Sequence, residues 1–136
     1  MSYAGDLTPQ QAWELLKDDD DAVLVDVRTQ AEWVFVGVPE LTELGKRPLF
    51  AEWSSLGGGP NPAAFVEAVT AQVDPGTPIL VVCRSGQRSA AAAQALTAAG
   101  FGPAYNVIDG FEGPVDDEGH RGAAGWRAEG LPWQQS

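Results

Sequence analysis

Two apolar runs divide the chain into its main segments. One covers residues 22–27 and the other covers Ile79–Val82, and both are rich in β-branched residues. Short apolar runs bounded by turn-forming residues are typical of strands that are buried on both faces of a parallel sheet. Weaker patterns predict two more strands, at residues 49–53 and 105–108.

Capping residues predict two helices in the first third of the chain. Thr8 and Gln11 have the spacing of a capping box, in which two residues of the first turn exchange hydrogen bonds, and they predict a helix over residues 9–17. Glu32 follows a threonine at the same spacing and predicts a short helical turn over residues 29–33.

The remaining helices are predicted from composition and spacing. A turn rich in glycine and proline at residues 57–62 should lead into a helix over residues 62–73. An alanine-rich helix is expected over residues 89–99, with Ser89 as its N-cap. A last short helix is expected over residues 125–129.

The alternation of strands and helices predicts an α/β fold. We expect residues 1–136 to form a single three-layer domain, with a mostly parallel central sheet of about five strands flanked by helices. Crossovers between parallel strands are right-handed in nearly all proteins, and we expect the same here. The carboxyl ends of such strands form the edge at which open α/β folds bind their ligands.

Composition limits the classes of protein to which the chain can belong. It is 44% hydrophobic and 20% charged, as expected for a soluble globular protein. It shows neither an apolar run as long as a membrane span nor an amino-terminal signal-peptide pattern, so we expect a cytoplasmic protein. A single cysteine excludes an internal disulfide framework.

The chain is strongly acidic, with a net charge of −11. This charge argues against nucleic acids and anionic membranes as partners, because both would be repelled. The acidic run at residues 18–21 is interpreted as a solvated loop, since consecutive Asp residues lack the spacing of a cation site. His120 and the acids at residues 116–118 match no standard metal site, and no metal is expected.

The candidate chemistry lies in the loop between the second apolar run and the alanine-rich helix. Cys83 follows the strand directly, and Arg84 and Arg88 place two of the chain's eight basic residues in the same loop. A thiolate nucleophile is favoured by guanidinium groups and by a helix N-terminus. Gly86 permits a backbone conformation in which the loop amides can form an anion nest. The alternative is a buried structural cysteine, since free cysteine is often inert.

Asp26 and Arg28 come at the carboxyl end of the first apolar run, which is the same edge as Cys83 if the sheet is parallel. They could act in catalysis, or they could form an ion pair that also caps the next turn. We favour the structural role, because an aspartate there can satisfy backbone donors and neither residue supplies chemistry that the loop lacks.

Several segments give the chain a resemblance to the rhodanese domain, the sulfurtransferase family. They read VLVDVRTQAEW from residue 23, CRSGQRS from residue 83, and NVIDGFEG with the later GWRAEGLPW, and together they span residues 23–133. Family members often have a Gly-His and a Gly-Ala pair after the first segment, whereas this chain has VGVP at residues 36–39. We therefore expect a rhodanese-like fold in which this one region is built differently.

The resemblance implies a sulfurtransferase without a cofactor that carries sulfane sulfur as a persulfide on Cys83. Thiolate Cys83 would attack the outer sulfur of thiosulfate or of a persulfide donor, and the sulfur would pass to a thiol, a sulfur-acceptor protein or cyanide. With one cysteine in the chain, the acceptor must be external. The residues implied to bind the donor are Arg84, Ser85, Gly86, Gln87, Arg88 and Ser89.

Two other functions remain open from the sequence. A sulfur carrier or regulatory binding module with little turnover would keep the same loop, because the cysteine indicates thiol chemistry but no rate. A cysteine-dependent phosphatase of the related cell-cycle type has five residues between its cysteine and arginine, whereas four separate Cys83 from Arg88. His120, the only histidine, could pair with Cys83, but the loop arginines make such a base unnecessary.

Overall fold

Short strands and helices alternate along the chain in this computed structural model, which describes residues 3–54 and 59–135. The strands are β1 (Gly5–Leu7), β2 (Val23–Asp26), β3 (Val38–Pro39), β4 (Leu49–Phe50), β5 (Ile79–Val82), β6 (Ala104–Val107) and β7 (Trp133–Gln134). The α-helices are α1 (Pro9–Asp18), α2 (Gln30–Phe35), α3 (Pro62–Thr70) and α4 (Gln87–Ala98), and a 3-10 turn covers Thr42–Leu44. The turn predicted at residues 57–62 lies partly outside the described residues.

Five parallel strands form the central sheet, in the order β1-β6-β5-β2-β4. The register aligns Asp26 with Val82 and Val81 with Asn106, so the carboxyl ends of β2, β5 and β6 meet at one edge. Strands β3 and β7 pair antiparallel in a separate two-stranded ribbon. The expectation of a mostly parallel sheet of about five strands is confirmed.

Alternate residues of the central strands face two separate parts of the core. Val25 and Val81 belong to the cluster that includes residues of helices α3 and α4, whereas Leu24 and Leu80 belong to the cluster that includes residues of helix α1 and Trp126. All four strand residues are fully buried. The two-residue period of a strand gives each face its own helical layer, and the predicted three-layer α/β architecture is confirmed.

Both predicted capping boxes are present. The side chains of Thr8 and Gln11 each accept a hydrogen bond from the other residue's backbone N–H at the start of α1. Thr29 and Glu32 make the same exchange at the start of α2. These local interactions explain why both helices begin where the sequence predicts, to within one residue.

Two sequence-based predictions about helices are wrong. Helix α4 begins at Gln87 with Gly86 as its N-cap, so Ser89 lies inside the first turn and does not cap the helix. Ser89 is fully buried, and its hydroxyl bonds to side chains of the sheet instead of the helix backbone. The segment predicted as a helix over residues 125–129 is a series of turns, because Gly130, with a left-handed φ of 77°, ends it after one turn in which the Glu129 N–H donates to the Gly125 carbonyl oxygen.

The peripheral elements are shorter than predicted or are not indicated by the sequence. Strand β4 stops at Phe50 and helix α3 stops at Thr70. Strands β1, β3 and β7 are two or three residues long, which is too short for an alternating pattern to identify them. Among the described residues, none of the helices is long and apolar enough to cross a membrane.

Candidate active site

Cys83 follows the fully buried strand β5 directly, and its sulfur faces the start of helix α4. The residue is 1% exposed. The N–H of Gly86 donates a hydrogen bond to the Cys83 sulfur over 3.1 Å. Gly86 reaches this position with a φ of 109°, a conformation that residues with a Cβ adopt rarely. A backbone donor and a helix N-terminus therefore meet at the sulfur atom, and both interact favourably with negative charge.

A chain of polar side chains continues from this sulfur to the first strand. The Ser89 hydroxyl lies 3.2 Å from the Cys83 sulfur and donates to Oδ1 of Asn106 over 2.6 Å. Nδ2 of Asn106 donates to Oδ1 of Asp6 over 3.1 Å, and the Tyr3 hydroxyl donates to the same oxygen over 2.8 Å. The site thus extends from β5 through β6 to β1. It uses Asn106 and Asp6, neither of which is among the predicted site residues, although Asn106 begins the segment NVIDGFEG.

Arg88, which the sequence places in the cysteine loop, lies in the first turn of α4 and is held by Glu32 of helix α2. Nη1 and Nη2 of Arg88 donate to Oε1 and Oε2 of Glu32 over 2.8 and 3.0 Å. Burial opposes the ionisation of Glu32, but the hydrogen bonds from Arg88 and from the Thr29 N–H outweigh it and lower the pKa of Glu32 to about 2. The hydrogen bond to Glu32 also raises the pKa of Arg88. The charge of Arg88 is therefore matched by a carboxylate, a pairing that the sequence does not predict.

The other ion pair at this edge joins Asp26 and Arg28, and it is completely buried. Nη2 of Arg28 donates to Oδ2 of Asp26 over 2.8 Å and to the carbonyl oxygen of Gly37 over 2.7 Å. The guanidinium lies 4.3 Å from the centre of the Phe111 ring, within range of a cation–π interaction. The pair thus connects strand β2 to the turn after β6 and to the region where the chain departs from the rhodanese pattern.

The turn at residues 109–113 supports the backbone of the cysteine loop. The Phe111 N–H donates to the carbonyl oxygen of Cys83 over 2.8 Å, and the next N–H donates to the carbonyl oxygen of Arg84 over 3.0 Å. A Cβ atom on Gly110 would lie 2.4 Å from the Cys83 carbonyl oxygen, so this close approach requires glycine. The position of Cys83 therefore depends on the turn after β6 as well as on its own loop.

The remaining residues predicted to bind a donor lie on the outer side of the loop. Arg84 and Gln87 are exposed, and Ser85 is half-buried. Within residues 3–54 and 59–135, Arg84 takes part in no ion pair. Arg84 is therefore the guanidinium of this loop whose charge is not neutralised by a carboxylate.

His120 is exposed in a turn that the Asp116 carboxylate holds together. Oδ1 of Asp116 accepts the backbone N–H of Glu118 over 2.9 Å and that of His120 over 2.8 Å. No hydrogen bond joins the His120 side chain to Cys83 in the part of the chain that the structure describes. In the same described residues, no group of three or more His, Cys, Asp or Glu side chains is arranged to hold a metal ion.

The chain is similar in sequence to a known protein family and to several known proteins. The family profile described as the STR4 middle domain matches residues 5–136. The chain is 37% identical to the uncharacterized protein RP600 homolog of Rickettsia rickettsii over 124 residues, which are 91% of this chain and 92% of that protein. It is 32% identical to the thiosulfate sulfurtransferase GlpE of Glaesserella parasuis over 116 residues, which are 83% of this chain and 88% of that protein.

Solved structures share the fold along almost the whole chain. The crystal structure of Rv0390 from M. tuberculosis superimposes with a TM-score of 0.91 at 54% identity, over 98% of this chain and 99% of that chain. The solution structure of the polysulfide-sulfur transferase homodimer from Wolinella succinogenes superimposes with a TM-score of 0.64 at 26% identity, over 99% of this chain and 80% of that chain. Coverage of this extent includes the cysteine loop and the strands that support it.

Proposed function

Because the chain belongs to the rhodanese-like family, we propose that it is a sulfurtransferase that carries sulfane sulfur on Cys83. The donor in this proposal is thiosulfate or a small persulfide, and the acceptor is a cytoplasmic thiol, a sulfur-acceptor protein or cyanide. The observation that carries the proposal is the environment of the chain's one cysteine: it ends a central strand, faces the N-terminus of α4 and accepts the Gly86 N–H. Two similar proteins have names that state this chemistry, thiosulfate sulfurtransferase and polysulfide-sulfur transferase.

The proposed reaction has two steps, and each forms one bond and breaks one. The Cys83 thiolate attacks the outer sulfur of thiosulfate, an S–S bond forms, and the old S–S bond breaks with its electron pair leaving on sulfite. The acceptor nucleophile then attacks the outer sulfur of the persulfide. A new bond from sulfur to the acceptor forms, and the Cys83–sulfur bond breaks to return the thiolate.

The residues around Cys83 have distinct roles in this proposal. The Gly86 N–H and the N-terminus of α4 stabilise negative charge on the cysteine sulfur and on the persulfide. Arg84 attracts the anionic donor, because its guanidinium is exposed and forms no ion pair among the described residues. Arg88 orients the loop through Glu32 and acts on the donor through the net charge of this pair, since its Nη1 and Nη2 each donate to the Glu32 carboxylate.

One observation favours a sulfur carrier with little turnover as a second candidate. Cys83 is only 1% exposed, and the Glu32 carboxylate neutralises Arg88 beside it. Both features reduce the access and the attraction of a small anion compared with an open, cationic loop. Such a protein would accept sulfur on the same cysteine but release it only to a protein partner that fits around the loop.

The test of the proposal is the intact mass of the protein after incubation with thiosulfate or a small persulfide, and again after addition of cyanide. We expect a gain of one sulfur atom that cyanide removes as thiocyanate. Cys83→Ser, the matched control, should show no gain, because a hydroxyl at that position is too weak a nucleophile.

Each outcome separates the candidates. A gain that cyanide does not remove would favour the carrier. A gain that persists in Cys83→Ser would place the sulfur elsewhere and overturn the role of Cys83. No gain with either donor would overturn the sulfurtransferase proposal.

A further inference from the structure

Three hydrogen-bonding contacts connect the sulfur of Cys83 to the side chain of Asp6 on the edge strand β1. Ser89 lies between Cys83 and Asn106 at distances of 3.2 and 2.6 Å, and Asn106 reaches Asp6 over 3.1 Å. Ser89 is 0% exposed and Asn106 is 5% exposed, so water does not compete freely for these groups. The direction of each hydrogen bond in this series therefore matters for the cysteine.

The directions follow from the inventory of donors at each position. An ionised carboxylate only accepts, so Asp6 requires the NH₂ group of Asn106 on its side. The amide oxygen of Asn106 must then face Ser89, and the single hydroxyl proton of Ser89 goes to that oxygen. What Ser89 turns toward the Cys83 sulfur is a lone pair.

Tyr3 is a second donor to Asp6. Its hydroxyl donates to the same Asp6 oxygen over 2.8 Å. The hydrogen bond to Asp6 raises the pKa of Tyr3 above its ordinary value, so Tyr3 remains a neutral donor at physiological pH. Oδ1 of Asp6 thus accepts from two partners, Tyr3 and Asn106.

We propose that Asp6 and Asn106 are positioning residues that keep the Ser89 hydroxyl proton turned away from Cys83, so that Ser89 presents a lone pair to the sulfur and opposes the negative charge that the Gly86 N–H and the N-terminus of α4 favour. In this inference the role of Cys83 rests on the proposed function, whereas the hydrogen-bond geometry around Cys83 does not. The arrangement limits reaction of the empty site with oxidants, because the thiolate is the oxidisable form.

The series is an orienting device and not a proton wire. A proton could pass through Asn106 only if its amide changed to the imidic acid form, which is unfavourable at neutral pH. Other charged groups also lie on the elements that pack around the cysteine loop, and none of them changes in the variants below. They are Asp26, Arg28, Glu32, Arg84, Arg88 and Asp109.

The experiment measures the rate of alkylation of Cys83 by iodoacetamide as a function of pH in Asp6→Asn. The amide that this substitution introduces can donate to the amide oxygen of Asn106 as well as accept, so Asn106 is free to turn and the Ser89 hydroxyl is free to donate to the thiolate. We expect the midpoint of the pH profile to fall by about one pH unit, which is a ~10-fold faster alkylation below the midpoint. Asp6 is exposed, so the substitution should leave the fold intact.

Removing the negative charge of Asp6 would also lower the midpoint through the electric field alone, so the test needs a second background. In Ser89→Ala no hydroxyl is present to turn, and Asp6→Asn should then shift the midpoint by less than about a third of its effect in the wild type. An equal shift in the two backgrounds would show that only the field acts and would overturn the proposal. Absence of a shift in Asp6→Asn alone would also overturn it.

Two further variants keep the test decisive. Asn106→Ala removes the acceptor of the Ser89 proton, so its midpoint should fall as in Asp6→Asn even if Ser89→Ala does not fold. Tyr3→Phe removes the other hydrogen bond to Asp6 and should leave the midpoint unchanged; a shift as large as that of Asp6→Asn would contradict the orientation mechanism. Alkylation requires no sulfur transfer, so this test can succeed or fail independently of the proposed function.

Discussion

Two arginine–carboxylate pairs lie at the same edge of the sheet, and they differ in their exposure to solvent. The side chains of Arg28 and Asp26 are 0% exposed, whereas those of Arg88 and Glu32 are 27% and 19% exposed. Both pairs have an N–O contact of 2.8 Å. The same interaction at the same distance is therefore placed in two environments, and the environment determines what each pair can do.

We expect the buried pair to have a structural role and the half-exposed pair to set the charge beside the cysteine loop. Arg28 is surrounded by Asp26, the Gly37 carbonyl and the Phe111 ring, so its charge has no access to water. Losing one partner of such a pair leaves an uncompensated charge in the interior. Arg88 and Glu32 are partly hydrated, so either can lose its partner at a smaller cost in stability.

Asp26→Ala is the substitution for which we expect the largest loss of stability, and it thereby distinguishes the buried pair from the half-exposed one. It leaves the buried Arg28 guanidinium without its carboxylate, and we expect the free energy of unfolding to fall by about 3–5 kcal/mol in urea denaturation. The double variant Asp26→Ala/Arg28→Met removes both charges and should recover at least about half of that loss. A loss below about 1 kcal/mol in the single variant would contradict the structural role of the pair.

The contribution of the half-exposed pair should appear as a pH-dependent difference in the free energy of unfolding between the wild type and Glu32→Gln. The pKa of Glu32 is about 2 in the folded state against an ordinary 4.5, so the pair stabilises the fold fully above pH 4.5 and this stabilisation is lost as the pH falls toward 2. After allowance for partial exposure, we expect Glu32→Gln to be less stable by about 1–2 kcal/mol at about pH 6.

Urea denaturation at a series of pH values from about 6 downward measures this difference, which should shrink as the solution becomes more acidic. Glu43→Gln is a suitable control, because Glu43 is exposed and forms no ion pair within the described ranges. A difference that stays constant over the whole pH range would mean that the Glu32 carboxylate contributes packing and not charge.

Interactions between near neighbours in the chain are the ones that the sequence predicts. The capping box of Thr8 and Gln11 is complete within one helical turn, and strand β5 is a short apolar run bounded by turn-forming residues. Both are therefore predicted at their observed places. The predicted N-cap of α4 is wrong because two residues near its start could cap a helix. Gly86 serves through its left-handed backbone, which leaves Ser89 to bond within the core.

Contacts between distant residues could not be predicted in this way. Glu32 and Arg88 are 56 residues apart, and Asp6 and Asn106 are 100 residues apart. Glu32 already has a local role in a capping box, so nothing in its neighbourhood indicates a second partner. The strand order that places β1 beside β6 is what brings Asp6 to Asn106, and an order of strands is not encoded in any one segment.

The smallest effect we expect is on the attraction of the anionic donor, and it should follow the net charge of the half-exposed pair. Arg88→Ala leaves Glu32 as an uncompensated negative charge beside the loop, so the half-saturating thiosulfate concentration for persulfide formation should rise by about 3–10-fold.

Glu32→Gln leaves Arg88 positive and should lower that concentration by a smaller factor. The double variant Arg88→Ala/Glu32→Gln restores neutrality, so its half-saturating thiosulfate concentration should return close to the wild-type value. Intact-mass time courses at increasing thiosulfate concentrations measure all four proteins in the same way. If the double variant binds donor as weakly as Arg88→Ala, the Arg88 side chain itself contacts the donor, and the charge of the pair is not what the donor senses.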